Sequence, residues 1–202
     1  VILPGLIDPH LHPVMAAVLL PMHFVTALEW ELPWQTVPAC PDQQRYRQRI
    51  VALESEMAGD EPFFTWGYHA SWHGDMSREL LDEISSTRPM VVWHRSFHEV
   101  YLNSAMLDLL EITFDKVGAK QQIDFERGHF YEVGLGYAIQ KLNRFIMSDE
   151  WIQTGLGRLK QIVHLGGNTT VGDLAVGLFD YEFERTLSAS VLDQSNVPFR
   201  VL

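Results

Sequence analysis

The chain has 202 residues, with 26 Asp and Glu against 15 Lys and Arg, for a formal net charge of −11. That balance excludes a nucleic-acid partner, whose phosphates need a basic face, and argues equally against docking on an anionic membrane. Apolar residues at 47% and charged residues at 20% fit an ordinary soluble globular protein, and a single cysteine, Cys40, excludes a disulfide framework.

The longest apolar stretch, Val14 to Val25, is broken by Pro21 and His23 and falls short of the about 20 residues a membrane helix needs. No basic segment precedes it, so no signal peptide is expected. With no targeting signal and one thiol, cytoplasmic residence is the default expectation.

Val1 to Ile7 is apolar apart from Pro4-Gly5 and leads into Asp8-Pro9-His10-Leu11-His12. This predicts a buried strand with a functional carboxyl end. Residues 13 to 40 are rich in aromatics and proline, with Trp30, Pro33, Trp34 and Pro38, and their poor periodicity predicts an irregular insertion. Asp42 to Met57 is the clearest helix. Tyr46, Ile50, Leu53 and Met57 form one stripe, and Gly59 stands where a C-cap glycine belongs.

Short strands are predicted at Phe63 to Tyr68 and Pro89 to Trp93, and helices at Ser77 to Ile84 and Ser104 to Leu110. Residues 113 to 134 mix glycines with charges and predict a hairpin or lid. Two helices follow, Leu135 to Ile146 and Asp149 to Leu165, the second opened by Ser148 and closed by Gly166-Gly167. A strand at Asn168 to Val176, a helix at Tyr181 to Leu192 and a strand over 198–202 complete the chain.

Strand, helix and strand joined by short connections is the grammar of a parallel sheet. The economical architecture is α/β: a partial (β/α)8 barrel with large insertions, incomplete on its C-terminal side. Strand-like runs at both ends predict that residues 1–202 are a single fragment of a longer catalytic barrel.

The strongest local feature is His10-Leu11-His12. On a strand, side chains two apart share a face, which suits two ligands of one divalent metal, with Asp8 on the same face as a supporting partner. With nine histidines in the chain, chance spacing is the competing explanation. Two ligands also fall short of the about three that a catalytic zinc takes from protein.

Trp66-Gly67-Tyr68-His69 and Ser71-Trp72-His73 place His69 and His73 four apart, a helical ligand spacing. The flanking Gly67 and Gly74 favour a loop or strand end instead, with Trp66 and His69 in the wall of a substrate pocket. His94 reads as a core or pocket histidine, and His23, His129 and His164 as structural. Asp173, at a strand end, either reaches the site or caps a helix. Gly134-Leu135-Gly136 lacks the Lys and the preceding strand of a phosphate loop. Cys40, between Pro38 and Pro41, has no activating base nearby in sequence and reads as a bland thiol.

The string Ile2-Leu3-Pro4-Gly5-Leu6-Ile7-Asp8-Pro9-His10-Leu11-His12 resembles the opening signature of the amidohydrolase superfamily of metal-dependent hydrolases. Leu81-Asp82-Glu83-Ile84-Ser85, Arg88-Pro89, His98 and Asn103-Ser104-Ala105 resemble landmarks of the branch containing N-substituted formamide deformylase. Gly128-His129-Phe130-Tyr131-Glu132 and Gly167-Asn168-Thr169-Thr170-Val171-Gly172-Asp173 are similar to two later elements of that branch.

The resemblance implies a (β/α)8 barrel that hydrolyses an amide or other non-peptide C–N bond of a small molecule by metal-activated water. It implies His10 and His12 as metal ligands and Glu132 as a further carboxylate near the metal. Zinc is the expected ion, with iron or manganese as alternatives. His98 and Asn103 would contact substrate. The plainer roles are an exposed lid carboxylate for Glu132, a strand-end histidine for His98 and a helix start for Asn103. In the resembled family, further His ligands and the catalytic Asp come from later strands, beyond Leu202, so the general base is expected outside this chain.

Two rivals accompany this reading. One is a ring deaminase of the same superfamily. The other is a noncatalytic half-barrel module whose open edge a partner chain, or a second copy in a homo-oligomer, must cover. A redox or haem protein is disfavoured, because no Cys-x-x-Cys-His motif exists.

Overall fold

The computed structural model describes residues 3–118, 122–187, 189, 192 and 197–202. Its elements in chain order are β1 (Leu6–Leu11), α1 (Pro13–Leu19), β2 (His23–Phe24), β3 (Trp30–Leu32), β4 (Gln35–Val37), α2 (Gln43–Glu56) and β5 (Phe63–Tyr68). There follow α3 (Ala70–His73), α4 (Arg78–Ile84), β6 (Met90–His94), β7 (Glu99–Leu102), α5 (Ser104–Leu109), α6 (Phe114–Val117), β8 (Ile123–Asp124) and β9 (His129–Tyr131). The last are α7 (Val133–Ile146), α8 (Asp149–Leu165), β10 (Asn168–Asp173), α9 (Tyr181–Leu187) and β11 (Arg200–Val201).

These divide into two compact units. The first takes residues 1–21, 32–34 and 143–202, and the second takes 22–31 and 35–142, so the second is inserted within the sequence of the first.

In the first unit β1, β10 and β11 form a parallel sheet in that order, with Ile7 opposite Thr170, Leu11 opposite Asp173, and Val171 opposite Val201. Its main helix packing is α1 against α8. α8 buries Ile152, Leu156, Leu159 and Val163 at three- and four-residue spacing, and α1 buries Val14, Ala17 and Val18. Two side chains of α8 tie off the C-terminal carbonyls of α1. The Trp151 indole N–H donates to the Val18 oxygen at 2.9 Å and Arg158 Nη1 to the Leu20 oxygen at 2.6 Å. Ser148 caps α8, accepting from the Trp151 amide, as its sequence position predicts.

The expected buried first strand is corrected. Among the described residues β1 is an edge strand, paired only with β10, and Leu6 and Ile7 are 57% and 70% exposed. An apolar run signals a strand covered on both faces, but covering elements are not a property of the run itself. The irregular insertion over 13–40 is also corrected. Pro13 occupies the first turn of α1, where its missing N–H costs nothing, and short strands follow. The predicted helix at Tyr181 to Leu192 is seen as α9 through Leu187, and Val1, Ile2, 119–121, 188, 190, 191 and 193–196 lie outside the described residues.

The second unit is built on a mixed sheet in the order β2-β5-β6-β7-β9-β8, parallel from β2 to β6 and antiparallel from β6 onward. β5 buries Phe63, Phe64, Thr65 and Tyr68, and every residue from Met90 to Trp93 in β6 is buried. α2 covers them with Tyr46, Ile50 and Leu53, which join Val25, Met76, Leu81 and Tyr101 in one core. Each such large side chain contributes about 1.5–3 kcal/mol by leaving water.

The family-like landmarks of this unit hold architecture together. Arg88 Nε meets Glu54 Oε1 at 2.9 Å, and its other nitrogens donate to the carbonyls of Met57, Gly59 and Glu61, tying off the end of α2. Asp82 accepts from both the amide and the hydroxyl of Ser104, joining α4 to α5.

Candidate metal centre

β1 carries the histidine pair to the carboxyl end of a parallel strand pair. The Asp8 carboxylate accepts the His10 amide at 3.0 Å, so it shapes the backbone of the motif and does not hold a ring. His10 and His12 converge: their ring centroids lie 4.9 Å apart at 71°, and Nε2 stands 3.2 Å from Nε2. Two nitrogens each about 2.0–2.1 Å from one tetrahedral ion would be separated by about 3.3 Å, so the pair fits two ligands of a single metal.

His12 sits between strand and helix, its carbonyl accepting the Ala16 amide. Its Nδ1 is buried and, among the described residues, has no hydrogen-bond partner. Asp173 ends the neighbouring strand opposite Leu11, where its Oδ1 accepts the Ala175 amide at 3.1 Å, a turn-capping role. Among the described residues no group of three or more His, Cys, Asp or Glu side chains is arranged to hold a metal ion.

The other expected site residues lie in the second unit. Here the structure brings His98 and Glu132 together, with Nδ1 to Oε2 at 3.3 Å and both side chains more than half exposed. The Glu132 amide also donates to the His98 carbonyl. Glu132 holds φ +47 and Phe97, beside His98, holds φ +67, so two residues without glycine's freedom take left-handed backbone around this pair. With its carboxylate paired to His98, Glu132 has an occupant that competes with any metal.

Asn103 is the helix start that the sequence also allows. It is fully buried, its Oδ1 accepts the amides of Met90 and Met106, and its Nδ2 donates to the carbonyls of Ser85 and Arg88. With all four positions filled, the side chain has nothing left for a substrate.

His69 and His73 do not form a ligand pair. His73 is buried, stacked on Tyr46 with centroids 4.0 Å apart; its Nδ1 accepts the His69 amide and its Nε2 donates to the Cys40 carbonyl. Burial, partly offset by that carbonyl, pulls its pKa down to about 4. His69 caps α3, accepting the Ser71 amide. Trp66 packs against Phe24 and Trp30 at 5.1 and 5.6 Å, in the wall of a cleft.

One cluster was not anticipated. Glu99 Oε2 lies 2.7 Å from His129 Nε2, and Glu99 Oε1 lies 3.8 Å from His94 Nδ1. His129 is stacked flat on Tyr101 at 4.2 Å, and burial drives the Tyr68 phenol to about 12 and the Tyr101 phenol higher still. The His94 ring is held below its usual range by burial, with Glu99 opposing, and its Nδ1 accepts from Ser96. The alternation of Glu99 and Tyr101 along 99–102 was the available signal for strand β7.

No protein-family model matches the sequence, and no curated protein matches it. Among solved structures, an uncharacterized metal-dependent hydrolase from Pyrococcus horikoshii OT3 superposes with TM-score 0.64 at 18% identity, over 98% of this chain and 36% of that one. A second, an uncharacterized metal-dependent hydrolase from Pyrococcus furiosus, gives TM-score 0.61 at 20% identity, over 98% of this chain and 37% of that one. This chain thus shares the fold of those proteins throughout its length and spans little more than a third of theirs.

Proposed function

We propose that this chain is part of a metal-dependent hydrolase of the amidohydrolase type, with His10 and His12 as two ligands of one divalent ion. The observation that carries the reading is the 3.2 Å approach of the two Nε2 atoms at the carboxyl end of β1. Parallel α/β sheets gather their chemistry at that end. Support comes from the shared fold of two solved metal-dependent hydrolases and from the parallel pairing of β1, β10 and β11, which a partial (β/α)8 barrel would require.

When bound, a divalent metal lowers the pKa of a coordinated water and polarises a substrate carbonyl, here an amide or other non-peptide C–N bond. Asp8 keeps the His10 backbone in place. His12 Nδ1, buried and unpartnered among the described residues, is the atom at which an outer acceptor would fix the tautomer that leaves Nε2 free. Zinc is the first choice for two imidazoles, with iron or manganese next. The remaining ligands and the general base belong, in this reading, to later strands of the whole protein.

Elemental analysis of the chain after dialysis against metal-free buffer, beside a His10→Ala/His12→Ala variant, tests the assignment. Metal near one equivalent in the parent and none in the variant is the expected result. Equal metal in both would sink the ligand assignment.

A second reading, a noncatalytic half-barrel module, is favoured by the exposure of Leu6 and Ile7 on the edge strand β1. It predicts a self-associating or partner-seeking chain that binds no metal.

A further inference from the structure

A backbone amide can only donate, so an imidazole nitrogen that receives one carries a lone pair and no proton. Three histidines of the second unit are fixed in this way. His73 Nδ1 receives the His69 amide at 3.0 Å, His69 Nδ1 the Ser71 amide at 3.1 Å and His94 Nδ1 the Ser96 amide at 3.1 Å. The neutral form of each ring therefore holds its proton on Nε2. In His73 that N–H is spent on the Cys40 carbonyl at 3.0 Å. In His69 and His94 it meets no acceptor among the described residues, and the two atoms are open to solvent.

The sheet sets these two donors side by side. His69 follows directly on Tyr68, the last residue of β5, and His94 ends β6; the strands are parallel, with Tyr68 opposite His94. The ring centroids lie 5.0 Å apart, and Trp72 packs on His69 at 4.8 Å. The carboxyl ends of neighbouring parallel strands are where α/β sheets hold ligands. The charged and titratable groups facing His94 are Glu99, His69, Arg95 and His129. Glu99, the one carboxylate among them, stands 3.8 Å from Nδ1, and its other oxygen is taken by His129 Nε2 at 2.7 Å. Arg95 adds positive potential.

We propose that His69 and His94 form a phosphate-binding pair, each donating its Nε2–H to a different oxygen of a phosphate group, free or carried on a small molecule. Two hydrogen bonds of about 2.7–3.0 Å to separate oxygens of one tetrahedral group bridge rings at this spacing. Phosphate is favoured over a carboxylate because it brings more charge and more acceptor oxygens to two fixed donors. A metal ion is the wrong occupant. Binding it through Nε2 would move each ring proton to Nδ1, against the incoming amide.

The test uses long-range proton–nitrogen correlation spectra of the full chain at neutral pH. It is run in the His10→Ala/His12→Ala background, so that no phosphate is held through a metal at that pair. Both rings should show the Nε2–H form. Inorganic phosphate and methyl phosphate should shift the Nε2 signals of His69 and His94 saturably and leave His73 still, and acetate should bind at least about tenfold more weakly. Bound phosphate favours the protonated ring, so it should raise the pKa of His94 relative to the free chain. His69→Phe and His94→Phe should each weaken phosphate by about tenfold, whereas His69→Gln, which keeps an N–H donor, should stay within about threefold. Circular dichroism verifies the fold, and His69→Phe carries the test should His94→Phe not fold.

Methyl phosphate bound as tightly as inorganic phosphate would assign the pair to phosphomonoesters, and a much weaker ester to the free ion. A proton on Nδ1 of both rings, no saturable shift, or unaltered affinity in the Phe variants would overturn the proposal. So would acetate binding equal to phosphate, or saturable zinc binding at this pair. Each of these outcomes leaves the His10–His12 assignment untouched, because those side chains are absent from the test.

Discussion

Gly155 in α8 stands directly against Ala17 in α1, where any Cβ at position 155 would overlap the Ala17 carbonyl oxygen. Two residues along the same helix, Gly157 has nothing within 4 Å of the corresponding position. The two glycines therefore answer the same substitution in opposite ways. Gly155→Ala forces the helices apart and should cost about 2–3 kcal/mol. Gly157→Ala removes only backbone freedom from the unfolded chain and should gain about 0.5–1 kcal/mol. Urea unfolding midpoints of the two variants decide the matter, and a neutral Gly155→Ala would mean that the contact yields.

Asn103 is fully buried and joins β6, α5 and the turn before β6 by its two amide ends. Asn103→Ala strands two buried amide donors and should cost about 3 kcal/mol. Asn103→Asp keeps the acceptor but sets a carboxylate oxygen against the carbonyls of Ser85 and Arg88, and should destabilise as well. Metal content measured in the folded fraction should match the parent, since the residue has no free hydrogen-bonding position to lend to a site.

The buried His73 gives stability a pH slope. Its folded pKa of about 4 lies below the ordinary histidine value of 6.5 because burial disfavours the imidazolium. The unfolded chain therefore binds the extra proton first. The neutral ring's stabilisation is complete above pH 6.5 and is lost as pH falls from there towards 4, with a ceiling of roughly 3 kcal/mol. Chemical denaturation across that range should show a steeper loss for the parent than for His73→Gln; parallel curves would refute the assignment.

Cys40 is buried, and burial, as the largest influence, raises its thiol above the ordinary value while nearby Arg49 pulls the other way. A buried, protonated thiol is a poor nucleophile. Reaction with a disulfide reagent should be about a hundredfold slower in the native chain than in denaturant, and a fast native reaction would show that the residue is reachable.

His10-Leu11-His12 could be read as a pair on one face, because the two-residue repeat of a strand is a local property, and the rings do converge. Helices α2, α4 and α8 were legible for the same reason. Their apolar stripes and the caps Asp42, Ser77 and Ser148 lie within a few residues of one another. α1 was hidden by the prolines and aromatics around it, and β7 by its short length. α1 is held by a partner far away in the chain, α8, and β7 by its chain neighbour β6 together with the more distant β9.

By itself, the sequence determined the strands and helices with clear periodicity, their caps and the placing of two imidazoles side by side. Those depend on backbone geometry over a handful of residues. Only the tertiary structure decided that Leu6 and Ile7 stand exposed on an edge strand, that Asn103 and Arg88 spend their donors on architecture, and that His98 pairs with Glu132. Exposure and hydrogen-bond occupancy depend on atoms that long loops bring together, and residue type states only which bonds a side chain is able to make, never which ones folding has already filled.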